Sequence, residues 1–211
     1  MRTRKWLALL ASTTVLGAGV LGGAAFVSAS DDKKPAAGAP DEAAMMEMWQ
    51  KAITPGPHHK TLEMMAGKFT SVTRWKMDPS QDWQTSEGTY EARMIMGGRF
   101  LESTHGGTMM DMPFEGRGFM GFDNRTQQHV SAWIDNFGTG IMYSNGACDD
   151  TGKVMTFNGE MPDPMADGKM TAYKYVFHIK TADEFTFTWY MPDPAGGEMW
   201  ESMNITYTRV K

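Results

Sequence analysis

From residue 69 to the C-terminus, hydrophobic and polar residues alternate with a period of two, which is typical of β-strands with one buried face. Turn-forming residues divide this region into segments of about a dozen residues, and no helical pattern separates them. The pattern therefore predicts an all-β, antiparallel barrel of about ten strands, because closure leaves no exposed sheet edge. The predicted strands are 69–77, 84–96, 99–108, 114–122, 128–136, 139–147, 153–161, 170–180, 184–191 and 199–210.

The pair Gly97-Gly98 lies between two alternating runs and predicts a hairpin with a two-residue loop, since such loops need positive φ angles. The register set by this loop places Arg93 opposite Glu102, and this opposite-charge pair is independent support for the register. If that pair faces outward, the other face of the hairpin lines the barrel. The predicted inward residues here are Tyr90, Met94, Arg99, Leu101, Ser103 and His105.

A second hairpin joins strands 170–180 and 184–191 and carries an aromatic face. Its register places Tyr175 opposite Trp189 and Phe177 opposite Phe187, and this face is predicted to point inward together with Trp75. His178 falls on the opposite, outward face.

Residues 41–66 have a helical pattern that precedes the barrel domain at residues 67–211. Asp41 is a suitable N-cap, and an apolar stripe predicts that the first helix packs across one end of the barrel. The stripe consists of Met45, Met48, Trp49, Ala52 and Ile53. A shorter helix is predicted at about residues 58–66. Because the adjacent residues His58 and His59 point in different directions, they are predicted to lie at a surface rather than to form a metal pair.

The first 29 residues have the three parts of a secretory signal peptide: a basic start, an apolar run and small residues before a cleavage site after Ala29. An uncleaved membrane anchor is the alternative, since the run is long enough to span a bilayer. Residues 30–40 are small, charged and proline-bearing, and are predicted to be a disordered linker. We therefore expect a periplasmic or extracellular protein with no membrane attachment after cleavage.

Charge and cysteine content argue against several classes of function. Removal of residues 1–29 takes away three positive charges and no negative ones, so the formal charge changes from −5 to −8. An acidic domain without a Lys/Arg cluster is a poor candidate for binding nucleic acid or anionic lipid. Cys148 is the only cysteine, so no internal disulfide can form, and its acidic neighbours argue against a reactive thiol.

The chain is rich in methionine, with twenty of its 21 methionines after Ala29. Methionine fills irregular apolar gaps, and this is the favoured interpretation. Thioether clusters also bind Cu(I), and a haem ligand would need an inward histidine, which only His105 provides. Copper and haem therefore stay as alternatives to a protein without a cofactor.

The predicted lumen is mainly apolar with a few polar groups, a composition typical of small-molecule sites. We expect a small, largely apolar ligand bound by Trp75, Tyr90, Met94, Arg99, Leu101, Ser103, His105, Tyr175, Phe177 and Trp189. A filled barrel is one alternative. Another is a hydrolase or isomerase that uses His105 and a carboxylate on strand 128–136, whose inward face the pattern leaves open. The sequence assigns no catalytic residue and indicates no oligomeric state.

Four segments resemble an exported bacterial family catalogued as domain of unknown function 1579: PGPHHKTLEMMAGKF, GGRFLESTHGGTMMDMPFEGRGFMGFDN, AWIDNFGTGIMYSNGACDDTGK and MNITYTRVK. The resemblance extends from about Met45 to the C-terminus. It implies a calycin-like or lipocalin-like barrel with a cavity. The family has no established activity, so the resemblance brings no catalytic residues. Phe69 stands where the family often has tryptophan.

Overall fold

A computed structural model of the chain describes residues 41–163 and 167–211. The predicted signal peptide (residues 1–29) and linker (residues 30–40) lie outside the described residues. The helices are α1 (Glu42–Ile53) and α2 (Pro57–Glu63). The strands are β1 (Gly67–Trp75), β2 (Gln84–Ile95), β3 (Phe100–Met109), β4 (Met112–Asp123), β5 (Gln128–Asp135), β6 (Met142–Cys148), β7 (Val154–Pro162), β8 (Met170–Ile179), β9 (Glu184–Met191) and β10 (Trp200–Arg209).

The ten strands form a closed antiparallel barrel in which each strand pairs with its neighbours in sequence and β1 pairs with β10. The β1–β10 register runs from Phe69 opposite Arg209 to Trp75 opposite Met203. The predicted fold class is thereby confirmed. Successive strands run in opposite directions. The connections between them therefore lie alternately at one end of the barrel and at the other.

The register predicted for the first hairpin is confirmed, although its loop is longer than predicted. Tyr90 lies opposite His105, and Arg93 lies opposite Glu102. The Arg93 Nε donates to Glu102 Oε2 at 2.8 Å. The connection contains residues 96–99 rather than two residues, and three of them in a row have positive φ, including Met96 at 51°. One extra residue on each side of the glycines leaves the cross-strand pairing unchanged.

The aromatic hairpin also has the predicted register, with Tyr175 opposite Trp189 and Phe177 opposite Phe187. Nearer the turn, Ile179 lies opposite Phe185, and both are buried. The aromatic face of β8 and β9 is therefore the inner one.

Helix α2 packs against β2, β3 and β4 and covers one end of the barrel, which we call the closed end. Leu62 and Met65 of this segment are fully buried in the hydrophobic core. His59 is also buried, and its Nδ1 accepts from the Gly56 N–H at 3.0 Å, which fixes the start of the helix. The prediction that both histidines of the pair lie at a surface is therefore wrong for His59, because this helix faces the core.

Helix α1 does not pack as predicted. Met48 and Trp49 are 63% and 56% exposed, and no residue of the helix is buried. The helix is held at its C-terminal end, where the Asn124 side chain donates to the Thr54 carbonyl at 2.8 Å and Arg99 donates to the Ile53 carbonyl at 2.7 Å. These bonds satisfy carbonyls that a helix end leaves unpaired. The stripe residues Met45, Met48 and Trp49 are thus exposed, and only Ala52 and Ile53 at the end of the helix are half-buried.

Candidate ligand site in the barrel lumen

The strands place nine of the ten predicted site residues on the inner wall. The alternation of burial and the cross-strand register put them on one face of the sheet. Those residues are Trp75, Tyr90, Met94, Leu101, Ser103, His105, Tyr175, Phe177 and Trp189. The prediction for Arg99 is wrong: its guanidinium donates to the carbonyls of Met96 and Ile53. Arg99 therefore belongs to the closed end, since it lies in the β2–β3 connection rather than on a strand.

Several inward side chains remain partly accessible to solvent, which indicates that there is space inside the barrel. Phe177 and Phe187 are only half-buried, although they lie one inward position from the buried pair Ile179 and Phe185. An inward side chain of a closed barrel can meet solvent only through the lumen. Trp189, further from the closed end, is half-buried as well. Tyr175 and Tyr173, further toward the other end of β8, are buried. The accessible inward surface is therefore limited to the side of the lumen formed by Phe177, Phe187 and Trp189.

One wall of the lumen is a set of nearly parallel aromatic rings. Tyr173 stacks on Trp189 with 4.5 Å between ring centroids, and Trp189 lies 5.7 Å from Tyr175 at an angle of 11°. Tyr175 in turn stacks on Phe157 at 4.9 Å. Such offset stacks stabilise the rings and hold their planes fixed. The wall is therefore rigid and presents aromatic surface to the lumen.

Glycines allow these rings to lie flat against the sheet. A methyl group at Gly159 would overlap the ring of Tyr173, and one at Gly116 would overlap the indole of Trp133. Both glycines occupy inward positions in their strands. The missing side chains leave the room that the rings occupy, so the centre of the barrel is less crowded than the aromatic content suggests.

A hydroxyl network runs along the same wall. Ser144 Oγ lies 2.9 Å from the Tyr173 hydroxyl, which donates to the Tyr143 carbonyl at 3.1 Å. Burial raises the pKa of Tyr175 to about 12, while hydrogen bonds from Ser131 and Ser144 act in the opposite direction. Tyr175 is therefore a neutral donor and acceptor in a mainly apolar wall.

His105 is one of the polar groups of the predicted site. Its Nε2 lies 3.3 Å from Ser103 Oγ. Its ring contacts Tyr90 and Trp133 edge to face, with centroid distances of 4.9 and 4.8 Å. Burial lowers the pKa of His105 to about 4, so the imidazole is uncharged at neutral pH. It can orient a ligand by hydrogen bonding but contributes no charge.

The sequence pattern does not decide which face of β5 lines the lumen. In the structure the inward residues of this strand are His129, Ser131, Trp133 and Asp135. Trp133 Nε1 donates to Asp135 Oδ2 at 2.7 Å, at the end opposite α2. We call this end the mouth. The signal that could have identified this face is the pair Gly116 and Gly118 on β4, which lie beneath the indole.

Two open volumes lie at the mouth. One of about 600 Å³ is lined by Met110, Met112, Pro113, Asn136 and Phe137. The other, of about 320 Å³, is lined by residues of β1 and β2 and by the β3–β4 connection, including Trp75 and Asp111. Neither includes His105, and only the smaller one is lined by a predicted site residue, Trp75.

At the closed end, His129 is fully buried beside Phe122 and His58. Neither of its ring nitrogens has a hydrogen-bond partner among residues 41–163 and 167–211. Burial lowers its pKa to about 4, and His58 and His59 act in the same direction. His129 is therefore a neutral core residue that sequence analysis missed.

Two features of the described part of the chain concern other functions. In it, no group of three or more His, Cys, Asp or Glu residues is arranged to hold a metal ion. Neither α1 nor α2 is long and apolar enough to cross a membrane. Cys148 is a free, half-buried thiol whose pKa is raised by burial and by Asp149.

Comparison with protein families matches residues 54–209 to the family described as "Protein of unknown function (DUF1579)". A comparison with curated proteins finds no match. The crystal structure of Rv2717c from M. tuberculosis matches with a TM-score of 0.54 and 16% identity, over 75% of this chain and 100% of that chain.

Two further structures are similar at lower TM-scores. A redesigned β-barrel has a TM-score of 0.37 and 14% identity, over 72% of this chain and 96% of that one. The structure of EF1p2_mFAP2b bound to DFHBI has a TM-score of 0.40 and 10% identity, over 72% and 99%. At these identities the likenesses concern the barrel fold alone.

Proposed function

The chain belongs to the DUF1579 family, whose description assigns no activity, and we propose from the site itself that it binds a small, largely apolar molecule in the barrel lumen. The observation that carries the proposal is the accessible surface of the inward pair Phe177 and Phe187 above a filled closed end. Apolar walls with a few placed polar groups are the usual composition of a ligand site.

The polar groups define how such a molecule would be oriented. Neutral His105 and the hydroxyl groups of Ser103 and Ser131 face the lumen among aromatic and methionine side chains. A ligand with one hydrogen-bonding group and a hydrocarbon or aromatic body fits this arrangement. The fixed wall of Tyr173, Tyr175 and Trp189 favours binding because little side-chain freedom is lost.

Binding can be tested with N-phenyl-1-naphthylamine, a neutral probe whose fluorescence increases in apolar surroundings. We expect saturable binding to the protein beginning at Ser30. Phe177→Trp, which enlarges an inward side chain, should weaken it at least about tenfold, a change of about 1.4 kcal/mol in binding free energy. Val176→Trp, at the neighbouring outward position, is the matched control. Absence of saturable binding to the parent protein would refute the proposal.

The enzymatic alternative requires an inward histidine that accepts a proton and a carboxylate that assists it. Burial keeps the pKa of His105 at about 4, well below the value suited to a general base at neutral pH. Asp135 accepts from the Trp133 indole, and within the described residues no carboxylate bonds to His105. These features favour binding over catalysis.

We also propose that the protein acts in the periplasm or outside the cell. The support is the signal-peptide pattern of residues 1–29. N-terminal sequencing of the protein from its native source should give a start at or near Ser30. An intact N-terminus on membrane-bound protein would contradict this.

A further inference from the structure

The mouth contains an aromatic corner around a carboxylate. Phe114 lies nearly parallel to Trp133, with an angle of 20° and 6.5 Å between centroids. Phe137 stands at 84° to Phe114, with 5.6 Å between centroids. The open volume of about 600 Å³ borders this corner through Phe137.

Asp135 is fixed within the corner. Its Oδ2 accepts from Trp133 Nε1 at 2.7 Å, and its Oδ1 accepts from the Phe137 backbone N–H at 2.9 Å. Each of these bonds leaves lone-pair capacity on the oxygen. Among the described inward strand positions beyond the closed end, Asp135 is the only acidic or basic residue apart from the neutral His105.

The opposite side of the mouth shows how this protein already places a cation among aromatic rings. Lys76 Nζ lies 5.1 Å from the Trp83 ring centroid and 5.5 Å from that of Trp200, and it donates to the Pro79 carbonyl. No described lysine or arginine lies over the rings of the Asp135 corner. The corner thus has the electrostatic character of a cation site without a cation of the protein's own.

We propose that the lumen and mouth select an apolar molecule that carries an alkylated ammonium group. The ammonium group lies at Asp135 among the rings of Trp133, Phe114 and Phe137, and the apolar part extends into the lumen. Aromatic rings beside a carboxylate bind quaternary ammonium groups through cation–π and charge attraction. A carboxylate-bearing ligand is disfavoured, because no lysine or arginine occupies a described inward strand position beyond the closed end to compensate its desolvation. This inference rests on the proposed binding function.

Three ligands with the same twelve-carbon chain separate the contribution of the head group from that of the chain. Dodecyltrimethylammonium, dodecanol and dodecanoate, each below its micelle concentration, compete with N-phenyl-1-naphthylamine. We expect the ammonium compound to bind at least about tenfold more tightly than dodecanol, and dodecanoate to bind least tightly. Asp135→Asn should remove most of the ammonium advantage and leave dodecanol affinity unchanged.

Asp111→Asn is the matched control, because it removes one negative charge from an exposed position at the same end of the barrel. It should leave the order of the three ligands unchanged. If Asp135→Asn does not fold, Phe137→Leu, in the exposed β5–β6 connection, should reduce the ammonium advantage instead.

The outcomes separate the two proposals. Failure of the neutral probe to bind overturns the binding function and this inference together. Binding of the probe with equal affinities for the three head groups overturns only the ammonium selectivity. Equal effects of Asp111→Asn and Asp135→Asn would assign the preference to net charge and also overturn it.

Discussion

His105 stands edge-on to the ring of Tyr90 directly across the β2–β3 pair, with 4.9 Å between ring centroids and 79° between ring planes. The same imidazole meets Trp133 on its other side at 4.8 Å. One neutral side chain thus joins the first hairpin to β5, on the wall that leads from the closed end to the mouth.

Replacing His105 by alanine should weaken ligand binding at only a modest cost in stability. Each aromatic edge contact contributes about 0.5–1.5 kcal/mol, and water can occupy the lumen position. We expect the free energy of unfolding in urea to fall by about 1 kcal/mol and the affinity for N-phenyl-1-naphthylamine to fall severalfold. His178→Ala, on the outward face, should change neither quantity. A large stability loss at His105 with unchanged binding would favour a filled barrel.

Substitutions in the two helices should have very different effects on stability. Leu62→Ala opens a void in the core and should cost about 2–5 kcal/mol of unfolding free energy. Trp49→Ala removes an exposed indole and should cost less than about 0.5 kcal/mol. Thermal and urea unfolding of both variants checks this. A cost at Trp49 close to that at Leu62 would mean that the stripe of α1 is covered.

Acid should destabilise the barrel through its buried histidines. The pKa values of His105 and His129 are near 4 in the folded protein and near 6.5 in an unfolded chain. Between these values the unfolded chain binds protons that the folded protein does not. Stability is therefore fully present above about pH 6.5 and falls as the pH approaches 4, by about 1–3 kcal/mol for each histidine.

Urea unfolding at pH 7 and pH 5 measures this effect. His129→Leu should reduce the pH dependence, because it removes a group that must remain uncharged in the core. It should also be tolerated at pH 7, since neither ring nitrogen of His129 has a described hydrogen-bond partner. An unchanged pH dependence in this variant would contradict the low pKa of His129.

The glycines beneath the aromatic wall should be sensitive to the smallest substitution. Gly159→Ala places a methyl group against the ring of Tyr173 and should cost about 1–3 kcal/mol, because the ring must move into the lumen. Gly140→Ala is the control, since nothing lies near the added methyl group there. Equal melting temperatures for the two variants would show that the ring moves without cost.

The register of both hairpins was predictable, because the alternation of polar and apolar residues and the complementarity of the cross-strand partners indicate the same pairing. The Arg93–Glu102 pair is an independent check that the structure confirms. The face of β5 was not predictable by alternation, since the outer residues Val130, Ala132 and Ile134 are more apolar than the inner ones, and Ile134 is 43% exposed. The site at Asp135 depends on that face, so it appears only with the strand pairing.

The position of α1 could not be predicted from its pattern for a different reason. An apolar stripe shows that a helix face favours an apolar environment, but it does not specify the contact. The bonds that set the position of α1 come from Asn124 and Arg99, in two connections far from it in sequence. The pattern assigns Arg99 to the lumen because the loop that it predicts is two residues shorter than the observed one.

The barrel is closed by the pairing of its first strand, β1, with its last strand, β10, and we call this junction the seam. The Thr70 hydroxyl bonds to the Thr208 carbonyl across 138 residues. Contacts between such distant residues form slowly, because a long chain segment must be ordered before they can form. The seam cannot close until the last strand has been synthesised, and a chain truncated before β10 exposes two free edges. Aggregation of nascent or truncated chains is therefore the main hazard that this topology creates.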